Sequence, residues 1–403
     1  MRARNWLNGG ATSALMTTVL ALAATPHVAT AQWSTTFEQH YFADPSNWAF
    51  RNTYPASDRL FNAFDYGHAI LYERLYTRPH DDPSSLEEKE YEFITRKLLV
   101  KPPRLPLEEA AIEVEYAKLA PEAKQMFEWA HVLHRQVYDV LADERVPAAE
   151  KDARVARVLA YYKSRPDLAF SSVPKTMELM EGDEYGGAFR RRYPKFNGLI
   201  WAYHWLQIGL YEPLLTATST SARRAGVQAT TRRFFQMLEN APQNMPRVMP
   251  MTPAVAPVFT ARYPEVATIF DNLHGMHDVI SDILASPIVP RDQKRAVILG
   301  VAERYRDSTS YVWSRKEWLE MSDMMGSNNM GGPAVGFTAE FPTPTVERGA
   351  KMAEIMKAMG HDHGGGANRV TPPPASTDAP TARKPDSTSK KQPAPAPGHV
   401  HPQ

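Results

Sequence analysis

Residues Asp271–Leu284 read DNLHGMHDVISDIL. Apolar side chains recur at Ile269, Leu273, Met276, Ile280 and Ile283, the period of an amphipathic helix. The adjoining row of that helix is Phe270, His274, His277, Ser281 and Leu284. Both imidazoles leave the helix on one side, at the edge of the apolar stripe, and histidines so spaced can converge on one point. Asp271, Asp278 and Asp282 lie within a turn or so of them, where a carboxylate can ligate a metal or hold an imidazole from behind.

Other segments repeat the idea. A helix is predicted from a Ser57–Asp58 cap to about Tyr76, with His68 inside the stripe Phe61, Phe64, Leu71, Leu75 and Asp65 one turn before it. Pro121 opens a long helix to about Asp143, in which Phe127, His131, His134, Tyr138 and Leu141 share a row and Glu128 precedes His131 by three residues. Residues 197–215, NGLIWAYHWLQIGLYEPLL, are apolar on nearly every face and carry His204, with Glu212 two turns on. That stretch is long enough to span a membrane. His204, Gln207, Glu212 and Pro213 favour a fully buried central helix instead.

Further helices are predicted over Leu86–Leu99, Leu107–Leu119, Pro147–Lys163, Ser219–Glu239 and Pro290–Arg306, and strand-like alternation is nearly absent. The expected fold is therefore all-α, a multi-helix bundle over 58–318. An irregular aromatic arm over 32–57 precedes it. A Met/Gly-rich loop and short helix over 319–359 follow, then a Pro/Ala/His tail over 360–403 whose composition predicts disorder. Residues 1–31 carry a basic start at Arg2 and Arg4, an apolar run and an Ala29-Thr30-Ala31 site, which predicts a signal peptide and an exported, periplasmic or secreted protein.

Composition narrows the function. The 403 residues carry a net charge of +1, so no global electrostatic case exists for nucleic acid. The absence of cysteine excludes disulfides, thiolate metal sites, iron–sulfur clusters and covalent c-type haem. No G-x-S-x-G, phosphate-binding glycine loop, dinucleotide fingerprint or H-E-x-x-H occurs, so nucleophilic hydrolysis and nucleotide binding have no candidate.

What remains is a set of histidines with carboxylates on core-facing helix rows. Helix bundles build metal sites by converging inward side chains at one level of the core. The candidate metal ligands are His131, His134, His274 and His277, then Glu128, His68 and His204, with Asp65, Asp271, Asp278 and Asp282 as ligands or anchors. Imidazole with carboxylate suits iron, zinc, copper or manganese more than calcium or magnesium, and iron, copper or manganese fits the expected chemistry. Two buried histidines on facing helices can also ligate a non-covalent haem. The E-x-x-H of Glu128 and His131 resembles one element of the ferritin-like di-iron carboxylate proteins, and the H-x4-D of His277 and Asp282 resembles one of the hemerythrin-like proteins. Each resemblance covers a few residues and implies only a His/carboxylate metal site in a bundle.

The expected role is redox chemistry, oxygen handling or metal storage, an oxidoreductase if an enzyme. The competing expectation is a non-catalytic scaffold docked on a periplasmic or membrane-bound complex, its histidines serving as core hydrogen-bonders. A second chemical signal is methionine: Met245, Met249 and Met251; Met321, Met324, Met325 and Met330; and Met352, Met356 and Met359 running into His361 and His363. Thioether with imidazole suits copper(I), while methionine is also a common core filler.

Overall fold

The computed structural model describes residues 37–106, 108–326, 330–332 and 334. The predicted signal segment, the short helix over 345–359, the Met352–Met359 cluster and the tail from 360 lie outside the described residues. The described residues are all-α, and their only extended pairing is an isolated bridge between Lys175 and Val312.

A 3-10 turn, Phe37–His40, leads to α1 (Ala49–Thr53), α2 (Pro55–Thr77) and α3 (Pro83–Phe93), the last running into a π turn, Ile94–Leu98. A 3-10 turn at Glu109–Ala111 precedes α4 (Val114–Leu119), α5 (Pro121–Ala142) and α6 (Ala148–Lys163). Then come α7 (Met177–Glu181), α8 (Ala188–Arg192), α9 (Pro194–Gly209), α10 (Tyr211–Thr216) and α11 (Thr220–Leu238). The chain continues through α12 (Thr252–Val255), α13 (Pro257–Arg262), α14 (Pro264–Ala285), α15 (Lys294–Arg306) and α16 (Arg315–Met325).

Proline makes the joints. Tyr54, Ala120, Tyr193, Ala256 and Tyr263 each end one helix and begin the next, and a proline follows each of them. The pyrrolidine ring pushes the preceding residue out of helical geometry, while proline itself suits the first helical position. A single residue therefore breaks the chain between α1 and α2, α4 and α5, α8 and α9, and α12, α13 and α14. This explains why α2 starts at Pro55 and not at the predicted Ser57–Asp58 cap, both of which lie inside it.

The core is organised around α14, which packs against α2, α5, α8, α13 and α15. The helix is not amphipathic in its setting. Every residue from Val266 to Ala285 is buried, polar ones included. Gly275 lets α15 approach, since a Cβ there would stand 2.7 Å from the Tyr305 hydroxyl. The α9 segment is buried from Phe196 to Gly209 as expected, but the predicted single helix 197–215 is divided into α9 and α10 around Leu210. Among the described residues no helix is long and apolar enough to cross a membrane.

Other boundaries differ from the sequence expectation. The described part of that arm, 37–57, contains α1 and is tied down, because Asp139 accepts hydrogen bonds from the Trp48 and Phe50 amides at 2.8 and 2.9 Å. The predicted helix 107–119 is a 3-10 turn followed by α4, and that irregularity places Glu109 in the core. Residue 318 is no boundary either. It lies inside α16, which a Ser314/Glu317 capping box starts and whose Met321 and Met325 are buried. Met245, Met249, Met251 and Met330 are likewise core residues, whereas Met324 is exposed.

Candidate metal centre

Four helices, α2, α5, α9 and α14, each bring histidine to one buried layer. His68, His204 and His277 each offer a ring nitrogen, and the three atoms lie within 4.8 Å of one another. Nε2 of His204 and Nδ1 of His277 are 3.1 Å apart. Two nitrogens at about 2.1 Å from one tetrahedral ion stand roughly 3.4 Å apart, so this pair is already at ligand spacing. The His68 ring centre is 4.4 Å from that of His277 and 5.3 Å from that of His204.

Polar satisfaction is poor here. Both ring nitrogens of His68, both of His274, Nδ1 of His204 and Nε2 of His134 are buried without a hydrogen-bond partner among the described residues. Buried polar groups are normally paired, and each unpaired one costs about 1–3 kcal/mol. Phe64 packs on His68 at 4.2 Å and Phe127 on His277 at 4.0 Å, so aromatic rings wall the layer.

Burial sets the protonation. It pushes the His68 imidazole down to about 3. It also carries His134, His204, His274 and His277 well below the ordinary value, and neighbouring histidines add to the shift. These imidazoles are neutral at physiological pH, the form that carries a free lone pair for a metal.

His274 and His134 are set back from this trio. His274 stacks on His204 with ring centres 4.0 Å apart, and His134 lies 6.1 Å from His274. The His134 Nδ1 and the Tyr211 hydroxyl are hydrogen-bonded at 2.7 Å, and that hydroxyl donates to the His134 carbonyl at 3.0 Å.

The second group is Asp65, Glu109 and His131, whose donor atoms also lie within 4.8 Å of one another. His131 Nδ1 is 3.3 Å from Glu109 Oε1 and 3.8 Å from Asp65 Oδ1. Behind them stand Lys124 and Arg135. Lys124 is gripped by Glu109, Glu113 and Glu128 at 2.5, 3.2 and 3.1 Å. Burial pushes Glu109 up, but the Lys124 ammonium and His131 outweigh it and hold the carboxyl below its usual range. Burial raises Glu113 to about 8, and it raises Asp65 despite the Arg135 guanidinium.

The structure separates the sequence candidates. Asp65, His68, His131, His204 and His277 are brought together in the two groups. Glu128 pairs with Lys124 at the outer edge. The aspartates of α14 serve elsewhere, a correction to their reading as ligands or anchors of the histidines. Asp271 Oδ1 accepts from the Thr252 amide and hydroxyl, and Oδ2 accepts from the Trp318 indole. Asp282 accepts from the Gly187 and Phe189 amides and so fixes the start of α8. Asp278 lies near Asp282, Glu181 and Arg190 on that same side. Glu212 is likewise occupied, accepting from the Phe259 amide.

Sequence reasoning missed Glu109, Glu113, Lys124 and Arg135. The only signal was a Glu108-Glu109…Glu113 run after a proline-rich break, which looks like the solvated start of a helix. Buried His, Asp and Glu groups able to hold a metal ion are thus present. The chain matches no protein-family model, no curated protein and no solved structure.

Proposed function

We propose that this protein binds a transition-metal ion through His68, His204 and His277 and uses it in redox chemistry, oxygen handling or metal storage. One observation carries the reading: ring nitrogens from three helices meet inside an apolar core, and those of His68 have no hydrogen-bond partner among the described residues. An ion would take up one nitrogen from each of the three rings. Imidazole donors suit iron or copper better than calcium or magnesium. The packing supports a bare ion over haem. A macrocycle must separate its two axial imidazoles with a flat slab, whereas His204 stacks directly on His274 and meets His277 at 3.1 Å.

A scaffold is the second reading, and the contact between His204 and His277 is what favours it, because a neutral imidazole pair can share one proton as a core hydrogen bond. It leaves His68 and His274 unsatisfied. The basic start, apolar run and Ala29-Thr30-Ala31 site support an exported protein in either case.

The test is the ultraviolet–visible spectrum and elemental content of the mature chain, purified without a histidine tag or chelator. About one iron or copper per chain without a Soret band agrees with the proposal. A Soret band turns it to haem, and a colourless protein that stays metal-free after reconstitution leaves the scaffold.

A further inference from the structure

Beside the imidazole trio lies a group of different chemistry. Asp65 is one turn before His68 on α2, Glu109 lies in the 3-10 turn, and His131 is on α5. Each is at most 4% exposed. Each carboxylate is held by one oxygen and presents the other. Arg135 donates to Asp65 Oδ2 at 2.7 Å, and Lys124 donates to Glu109 Oε2 at 2.5 Å. Asp65 Oδ1 is buried without a hydrogen-bond partner among the described residues, 3.8 Å from His131 Nδ1, and Glu109 Oε1 stands 3.3 Å from the same nitrogen. Two buried carboxylate oxygens turned towards one imidazole nitrogen repel each other, and a single N–H cannot replace the donors both had in water. A cation between them removes both costs.

The charges around the group agree. Asp65, Glu109, Glu113 and Glu128 surround Lys124 and Arg135, four carboxylates against two basic side chains. Asp58 also touches Arg135 but is paired with Arg51 at 3.1 Å. Burial keeps Glu113 largely protonated near neutral pH, and the remaining carboxylates still outnumber the two basic side chains, a negative excess that a bound cation would offset. The Glu128 side chain is 21% exposed and shares the Lys124 ammonium with the buried Glu113 and Glu109.

We infer that Asp65, Glu109 and His131 hold a second divalent cation, so that the centre takes two ions of unlike preference. The inference rests on the metal-binding reading above. Two oxygens with one nitrogen favour a harder ion such as manganese(II), while three imidazoles favour a softer one such as zinc or copper. The two ions would be neighbours, since the His131 and His277 rings are 6.0 Å apart and Asp65 and His68 share a turn of α2.

The test uses the full mature chain, stripped of metal and then given one equivalent of zinc. Manganese(II) is titrated into it, and free manganese is read by its paramagnetic resonance. The expected result is one manganese bound per chain, weakened about ten-fold or more in Asp65→Asn and in Glu109→Gln, with the zinc retained. Both replacements keep side-chain shape, and circular dichroism verifies the fold of each. Zinc at one per chain with no manganese uptake overturns this inference and leaves the imidazole site standing. Failure to bind either ion overturns both readings together.

Discussion

His204 on α9 and His277 on α14, 73 residues apart in sequence, place Nε2 and Nδ1 3.1 Å from each other inside the core. Neither helix buries its histidine by chance of an exposed edge, because α9 is buried from Phe196 to Gly209 and α14 from Val266 to Ala285. The pair is the fixed side of the proposed imidazole site, and His68 on α2 completes it.

Replacing His277 or His204 by alanine removes ligands of that site and leaves those of the other. Metal content at the imidazole site should fall from about one ion per chain to near zero, measured by elemental analysis after gel filtration. His134→Ala, whose imidazole is hydrogen-bonded to Tyr211, should retain the ion.

Metal binding should stabilise the fold by linkage. At a free ion concentration a hundred times the dissociation constant, the gain is about 2.7 kcal/mol, or roughly 4–5 °C in melting temperature for a domain of this size. Calorimetry with and without a chelator checks this. His68→Ala should abolish most of the metal-dependent increment.

The buried imidazoles should give the metal-free protein a stability contribution that is lost as pH falls. Burial holds His68 near 3 and the four other imidazoles well below their ordinary value. An unfolded chain binds their protons at about 6.5. Between those limits the unfolded chain holds more protons on these histidines, so their contribution is fully present above about pH 6.5 and is lost progressively towards pH 3, while buried carboxyls raised to about 7 or 8, such as Glu113, Asp139 and Asp271, act in the opposite direction. Urea midpoints of the natural chain and of His68→Ala, compared across that range, isolate the histidine contribution and test its sign.

Lys124 is the shared ion-pair partner of Glu109, Glu113 and Glu128 in the interior. Lys124→Met should destabilise the metal-free protein by about 3–5 kcal/mol, the usual cost of breaking a buried ion pair from one side. Added manganese(II) should recover part of that loss, because a cation again stands among the carboxylates. Denaturation with and without manganese measures both effects.

Asp282 offers a control. Its carboxylate holds the Gly187 and Phe189 amides, so Asp282→Ala should cost about 1–3 kcal/mol of stability. The same variant should keep its full metal content, since Asp282 belongs to neither ligand group.

Much of this architecture was legible in the sequence. The helical period placed α2, α5, α9 and α14, and the histidines on their core-facing rows are those that converge. What periodicity does not carry is which rows meet. Asp271, Asp278 and Asp282 look adjacent to His274 and His277, yet they lie about a quarter turn round the helix and face α8 or α12 and α16. Glu109 was invisible for another reason. It sits in a 3-10 turn with no repeating pattern, and only the tertiary approach of α5 turns it into a buried neighbour of His131. Lys124, in the first turns of α5, looks like a surface residue until three carboxylates close around it.

The most direct measurement is anomalous X-ray scattering from crystals of the metal-loaded protein, with data collected on both sides of the metal absorption edge. The account predicts a peak about 2.1 Å from ring nitrogens of His68, His204 and His277. Crystals that show no peak there, with those rings bonded to one another or to water, would contradict it.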